Sequence, residues 1–274
     1  MYTGYKIVQP DDFNLSMFYS APDVNIFDCK QNEYLMIADA TGEIVDQYKW
    51  TGTEYARLKF KDIDNAYSGK IHPRNPQQRC AFDLLQDDTT TIKILTGCFG
   101  SGKTMLMVTH ALDLIQKGKF DKLLWVRNNI EVKDTVALGS LPGDVYDKLL
   151  PYAGPLADHL GGMDGVQQFI EAGTIEIQHL GFIRGRDIKN TIIMSTEAEN
   201  LTKQHVQLLI GRVGEGSNLW IEGDYSQVDR KVFQDNAGMK IATDKLAGEK
   251  LFGYVDLPTT ERSETARLAD KLDE

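Results

Sequence analysis

Gly97-Cys98-Phe99-Gly100-Ser101-Gly102-Lys103-Thr104 is a complete G-x-x-x-x-G-K-[ST] phosphate-binding loop. The residues before it, Thr91-Ile92-Lys93-Ile94-Leu95, are β-branched and apolar and predict a buried strand. The residues after it carry Leu106, Val108, Ala111, Leu112 and Ile115 at helical spacing. Strand, glycine loop and helix are the context this motif requires. The glycines let the backbone turn its N–H groups onto a triphosphate. The helix N-terminus adds roughly half a positive charge. In that reading Lys103 reaches the β- and γ-phosphates and Thr104 holds Mg²⁺. All eight residues of the loop are candidate nucleotide contacts. The bland alternative is a tight strand-to-helix turn that happens to contain G-K-T.

The rest of the 274 residues alternate strand and helix patterns around this loop. A second buried strand is predicted at residues 122–126, and further strands at 175–178, 191–194, 218–222 and 254–257, with helices and loops between them. Such alternation argues for a parallel sheet with right-handed crossovers. Polar clusters follow the strand ends, where sheets of this kind bind ligands. Upstream, residues 34–38 and 44–48 flank Ala40-Thr41-Gly42 as a hairpin signal, and residues 57–60 are a possible third strand. Residues 1–30 have weak periodicity. The chain therefore divides into a small N-terminal β element and linker, 1–70, and an α/β domain, 71–274. The mixture of Tyr48, Lys49, Trp50, Arg57 and Lys59 can be read as a stacking platform for single-stranded nucleic acid or as the packed face of a small sheet.

Composition excludes some classes. Hydrophobic content of 42% and charged content of 26% are ordinary globular values. A formal net charge of −10 counts against extended duplex contact, though a local basic groove is compatible with it. Three scattered cysteines form neither a zinc spacing nor a disulfide framework, which suits a reducing, cytoplasmic setting. No basic region followed by an apolar run opens the chain, and no long apolar run predicts a membrane span.

Several motifs in order resemble the PhoH family of phosphate-starvation-inducible ATPases. They are N-P-Q-Q at residues 75–78, the phosphate loop, V-R-N at 126–128 and L-G-S-L-P-G-D at 138–144. L-G-F-I-R-G-R at 180–186, T-E-A-E-N at 196–200 and G-D-Y-S-Q-V-D at 223–229 complete the set. The resemblance covers about residues 73–272. It implies a RecA-like phosphate-loop fold with helices on both sheet faces, ATP and Mg²⁺ as ligands, and a homo-oligomer, most often a hexameric ring. It also implies a possible role with single-stranded RNA. The segment around Tyr48-Lys49-Trp50 resembles the piece preceding the ATPase in longer relatives that carry a PIN ribonuclease domain; that nuclease is not expected here. The N-P-Q-Q element resembles the Q motif of superfamily 1 helicases. That makes Gln78 the candidate adenine reader, since its amide both donates and accepts.

The same resemblance makes Glu197 the second acid of the motif that supplies the metal carboxylate and the base orienting water, and Gln227 a γ-phosphate sensor. Arg262 is the candidate charge that meets the γ-phosphate or an ordinary capping or surface ion pair beside Glu261 and Glu264. Arg127, Arg184 and Arg186 are candidate RNA contacts at loop ends opposite the nucleotide side chains; the alternative for Arg184 and Arg186 is a structural role tying down the R-G-R turn. One departure stands out. The family's acidic motif reads D-E, and here it reads Thr196-Glu197. Either Asp224 supplies the missing metal carboxylate and hydrolysis is retained, or the protein is a nucleotide-binding regulatory module with little turnover. A small-molecule kinase is a third, weaker reading.

Overall fold

The structure, a computed structural model, describes residues 2–65, 68–127, 153–227 and 237–261. The N-terminal part is built from β1 (Tyr5–Val8), α1 (Asp12–Ser20), β2 (Tyr34–Ala38), β3 (Ile44–Trp50) and β4 (Tyr55–Arg57). The four strands form one sheet in that order, with β1 parallel to β2 and the other pairs antiparallel. The expected β2–β3 hairpin is present. Asp39 anchors its turn by accepting from the N–H groups of Thr41 and Glu43. The third strand lies two residues earlier than the sequence pattern suggested. The stretch expected as linker contains a second hairpin, β5 (Ile63–Asn65) and β6 (Gly69–Ile71).

The aromatic residues of β3 face inward. Tyr48 and Trp50 are 6% and 8% exposed, packed against Phe18 and Tyr55 at ring separations of 4.9 and 4.8 Å. Lys49 pairs with Asp83 at 2.9 Å and Asp87 at 2.8 Å. Of the two readings of this stretch, Tyr48 and Trp50 follow the packed-face one: their rings are core, and Lys49 ties the sheet to the following helix.

That helix is α2 (Pro76–Gln86), capped by Asn75 and opened by proline at its first turn. Then come β7 (Ile92–Gly97), α3 (Lys103–Gln116), β8 (Lys122–Arg127), α4 (Gly154–Ala157), α5 (Met163–Glu171) and β9 (Ile175–His179). They are followed by β10 (Thr191–Ser195), α6 (Lys203–Ile210), β11 (Asn218–Gly223), α7 (Gly238–Leu246) and β12 (Phe252–Leu257). The loop expected after β9 begins as a 3₁₀ turn, Leu180–Ile183. Leu138 to Asp144 and the expected C-terminal helix lie outside the described residues.

The large sheet has six strands in the order β12-β7-β11-β10-β8-β9, all parallel. Both faces are covered, so its strands read as nearly continuous apolar runs. Alternate residues go to opposite layers. Leu95, Trp125, Met194 and Trp220 pack with α2, α3 and α5, whereas Ile94, Leu124, Ile193 and Ile221 pack with α6 and α7. This is the expected α/β, RecA-like phosphate-loop architecture preceded by a small β sheet.

One residue of β7 breaks the apolar pattern. Lys93 is 2% exposed, and its ammonium donates to the carbonyls of Leu85 and Asp87 at the end of α2, above the Trp220 ring. Those carbonyls have no partners within their helix, and the dipole there favours a cation. Burial nonetheless lowers the Lys93 pKa to about 7. Between pH 7 and the unfolded value of about 10.4 the unfolded chain therefore holds more protons than the folded one, and stability rises with pH. We expect urea unfolding to show the wild type gaining stability from pH 7 to pH 9 relative to Lys93→Met. Parallel pH dependences for the two proteins would show that Lys93 is not depressed.

Candidate nucleotide site

The phosphate loop leaves β7 at Gly97, where φ is +141° and a Cβ would lie 2.1 Å from the Leu257 carbonyl. Only glycine fits so close to β12. Gly100 and Gly102 also have positive φ, at 77° and 90°. Helix α3 then starts at Lys103 with no side-chain cap, so its first N–H groups remain directed at the loop. Lys103 Nζ donates to the carbonyls of Gly97 and Cys98 at 2.8 and 2.9 Å. The Ser101 hydroxyl is buried with no hydrogen-bond partner among the described residues. The chain after β12 fastens the loop from outside: Glu261 N–H donates to Gly100 O, and Thr260 Oγ1 to Phe99 O.

The N-terminus of α2 approaches from the other side. Gln78 is buried. Its amide donates to Ser101 O at 3.1 Å and accepts from Arg74 N–H at 2.9 Å. One donor hydrogen and one lone pair remain for a ligand. Arg74 reaches the Glu261 carbonyl, and Asn75 donates to the Glu261 carboxylate.

The acidic side comes from the ends of β10 and β11. Thr104 Oγ1 lies 2.9 Å from both carboxylate oxygens of Glu222, the penultimate residue of β11. Burial raises the Glu222 pKa, opposed by the Thr104 hydrogen bond and the Lys103 charge. Glu197 has a left-handed backbone and pairs with Arg127 at 3.0 Å. Arg127 also donates to the Thr196 hydroxyl at 3.0 Å. Glu199 accepts from the Asp224 N–H at 2.9 Å. Burial raises its pKa to about 7, with the charges of Glu197 and Glu222 adding to the shift. Asp224 turns back on its own loop, accepting from Ser226 N, Ser226 Oγ and Gln227 Nε2 at 2.9, 2.6 and 2.9 Å.

These groups line a cavity of about 400 Å³. Gln78, Phe99, Gly100, Gly102, Lys103, Thr104, Glu197, Asp224 and Gln227 all reach it. Gly97, Cys98 and Ser101 form the loop beneath. Arg127 was expected on a surface away from the nucleotide side chains. It lines the same cavity instead, drawn in by Glu197 and the Thr196 hydroxyl. Arg186 pairs with Glu176 at 2.9 Å, and Arg184 is exposed beyond the 3₁₀ turn. Arg262 lies outside the described residues. Sequence reasoning missed Glu222, Glu199, Arg74 and Glu261. A glutamate at the end of an apolar strand was the available signal for Glu222, and the N-P-Q-Q context for Arg74.

Gly223 separates the two acidic strand ends. A Cβ there would lie 2.7 Å from Glu199 Oε2 and 3.0 Å from the Glu199 amide. We expect Gly223→Ala to destabilise the protein by about 1–3 kcal/mol, the usual cost of overpacking. Thermal unfolding checks this, and an unchanged midpoint would mean that Glu199 moves aside freely.

A family model described as PhoH-like protein matches residues 70–269, a span that contains the whole phosphate loop and both acidic strand ends. Protein PhoH2 of Bacillus subtilis is 34% identical over 292 residues, covering 99% of this chain and 64% of that protein. A PhoH-like protein of the same organism is 33% identical over 168 residues, covering 60% of this chain and 52% of the relative. Protein PhoH2 of Mycolicibacterium smegmatis is 29% identical over 205 residues, covering 74% and 47%. The chain thus spans from about half to just under two thirds of the length of these relatives. With the matched span covering the loop, the crevice and the six-stranded sheet, the chain belongs to the PhoH family of phosphate-loop, ATPase-like proteins.

Proposed function

We propose that this protein binds ATP together with Mg²⁺ and hydrolyses it. The observation that carries the proposal is the convergence of Lys103, Thr104, Glu197 and Gln227 on one cavity at the carboxyl ends of the parallel strands. The unpaired Ser101 hydroxyl, the uncapped start of α3 and the glycine turns are what a triphosphate would satisfy. Magnesium fits a site where the Thr104 hydroxyl lies beside carboxylate oxygens, because it takes oxygen ligands, keeps several waters and binds phosphate oxygens. When bound, it supplies neutralising charge at the phosphates.

The protein's own residues have separable tasks. Lys103 holds the phosphoryl charge. The Glu197 carboxylate, 58% exposed at the cavity, is placed to orient a water. Arg127 fixes Glu197 and brings a second cation to the cavity. Gln78 holds α2 against the loop and offers its remaining donor and acceptor to a base. The second reading, a nucleotide-binding regulator with slow turnover, is favoured by the neutral Thr196 in the acidic motif.

The proposal extends to assembly and to RNA. In phosphate-loop modules of this kind the γ-phosphate side is commonly completed by an arginine supplied in trans. A homo-oligomeric ring, six-membered by family resemblance, is the corresponding assembly, and light scattering with ATP present measures it. Arg184, exposed beyond the sheet's carboxyl edge, is the arginine we assign to single-stranded RNA. No helix among the described residues is long and apolar enough to cross a membrane.

Lys103→Ala is expected to lower steady-state phosphate release by roughly 100-fold or more, as loss of a preorganised charge does. Turnover at the wild-type rate would overturn the assignment. RNA affinity, measured by anisotropy with a labelled single strand, is expected to fall in Arg184→Ala. Unchanged affinity would remove Arg184 from the RNA path.

A further inference from the structure

We propose that Glu222, at the end of β11, is the carboxylate that holds the divalent cation of the nucleotide complex, one strand away from the position where the family motif would put it. The inference rests on the ATP-binding reading above and assigns a residue within that site.

Four observations converge on Glu222. The sheet order puts β11, and not β10, beside the phosphate-loop strand, with Gly223 paired to Thr96. The Glu222 carboxylate meets Thr104 Oγ1 with both oxygens at 2.9 Å, and Thr104 is the loop's own metal-binding hydroxyl. Glu222 is 5% exposed and lines the cavity, and among the described residues no lysine or arginine forms an ion pair with it. A buried carboxylate without a counterion is costly, and a hard cation is the partner that its oxygens suit. Finally, Ser195 pairs with Ile221, so the next residues in register are Thr196 and Glu222. The two stand level on adjacent strands. The acidic group has in effect moved sideways toward the loop.

The other oxygens nearby are committed. The Thr196 hydroxyl accepts from Arg127, and a guanidinium at that point repels a metal ion. Glu197 pairs with the same arginine. Glu199 holds the Asp224 N–H. Asp224 accepts three hydrogen bonds from Ser226 and Gln227. Among the described residues the Glu222 carboxylate has Thr104 alone as a hydrogen-bond partner, and a single hydroxyl hydrogen leaves most of its lone pairs free.

The experiment uses Mn²⁺ as the probe, read by electron paramagnetic resonance, on protein saturated with a non-hydrolysable ATP analogue. Wild type, Glu222→Gln and Asp224→Asn are compared, and analogue binding is also measured in EDTA. We expect Glu222→Gln to weaken Mn²⁺ binding by about tenfold or more. It should keep analogue binding in EDTA and unfold, without metal, at a temperature no lower than wild type, because a buried unpaired charge has been removed. Retained binding in EDTA also shows that the variant is folded. Unchanged Mn²⁺ affinity in Glu222→Gln overturns the assignment, as does a loss found only in Asp224→Asn. A lowered metal-free unfolding temperature with unchanged Mn²⁺ affinity would make Glu222 structural. If the wild type binds no analogue with or without metal, the ATP-binding reading itself fails and this assignment falls with it. Analogue binding with intact Mn²⁺ affinity in the variant sinks the Glu222 assignment alone.

Discussion

The pairing of β11 between β7 and β10 sets the geometry of this molecule. Its parallel ladders run to Gly223 on one side and to Ser195 on the other. A strand inserted there carries its own carboxyl end into the crevice beside the phosphate loop. Two polar turns, after Ser195 and after Gly223, then lie next to each other where parallel sheets bind their ligands. The Glu199 carboxylate bridges them by accepting the Asp224 N–H, and the missing side chain of Gly223 makes the approach possible. Had β7 and β10 been neighbours, the residue facing Thr104 would have come from the other turn.

Charge follows from that placement. Glu197, Glu199, Glu222 and Asp224 all line the cavity, against Lys103, Arg127 and Arg74. Arg127 is engaged by Glu197, and Arg74 by the Glu261 carbonyl. The balance is already visible in Glu199, whose pKa is pushed up to about 7 by burial and the neighbouring carboxylates. An unaccompanied triphosphate would add like charge to this crevice. In a partly desolvated site the repulsion between anions a few ångströms apart amounts to several kcal/mol. Lys103, Arg74, which donates to a neutral carbonyl and keeps its charge, and the helix N-terminus together offer about two and a half positive charges. A divalent cation entering with the phosphates reverses the sign of the mismatch.

How much of this was legible in the sequence depended on the range of each interaction. The phosphate loop and the six sheet strands were legible because loop spacing and apolar runs are local signals. The first thirty residues were not. Strand β1 is four residues long and pairs in parallel with a strand about thirty positions later, and α1 leaves Phe13, Met17 and Tyr19 exposed, which blurs its amphipathic pattern. Tyr48 and Trp50 were ambiguous for the same reason, since Phe18 belongs to that weakly patterned segment. Lys93 looked like an ordinary strand residue until the end of α2 came over it. Glu222 was read as the polar end of a strand. Its role rests on a contact with Thr104, 118 positions away, which no local pattern encodes.

The N-terminal sheet belongs to the same argument. Tyr34 and Met36 of the sheet and Ile63 of the β5–β6 hairpin share a buried cluster with Phe82, Leu84 and the residues of α3, so no apolar boundary separates them from the α/β core. Polar ties reinforce the contact. Tyr34 Oη, Lys49 Nζ and the Lys59 N–H all converge on Asp83, and Gln47 donates to the Pro76 carbonyl at the start of α2. Asn32 donates to the carbonyls of Glu249, Lys250 and Phe252, where β12 begins. Charged partners buried this far are costly to separate, about 3–5 kcal/mol when one side is lost. Helix α2 is thereby held at its middle and at its N-terminus, and that N-terminus carries Gln78 onto Ser101. β12, held at its start by Asn32, carries Leu257 onto Gly97. The N-terminal part thus grips both elements that press on the phosphate loop, and the loop's shape depends on ties made along α2 and at the start of β12.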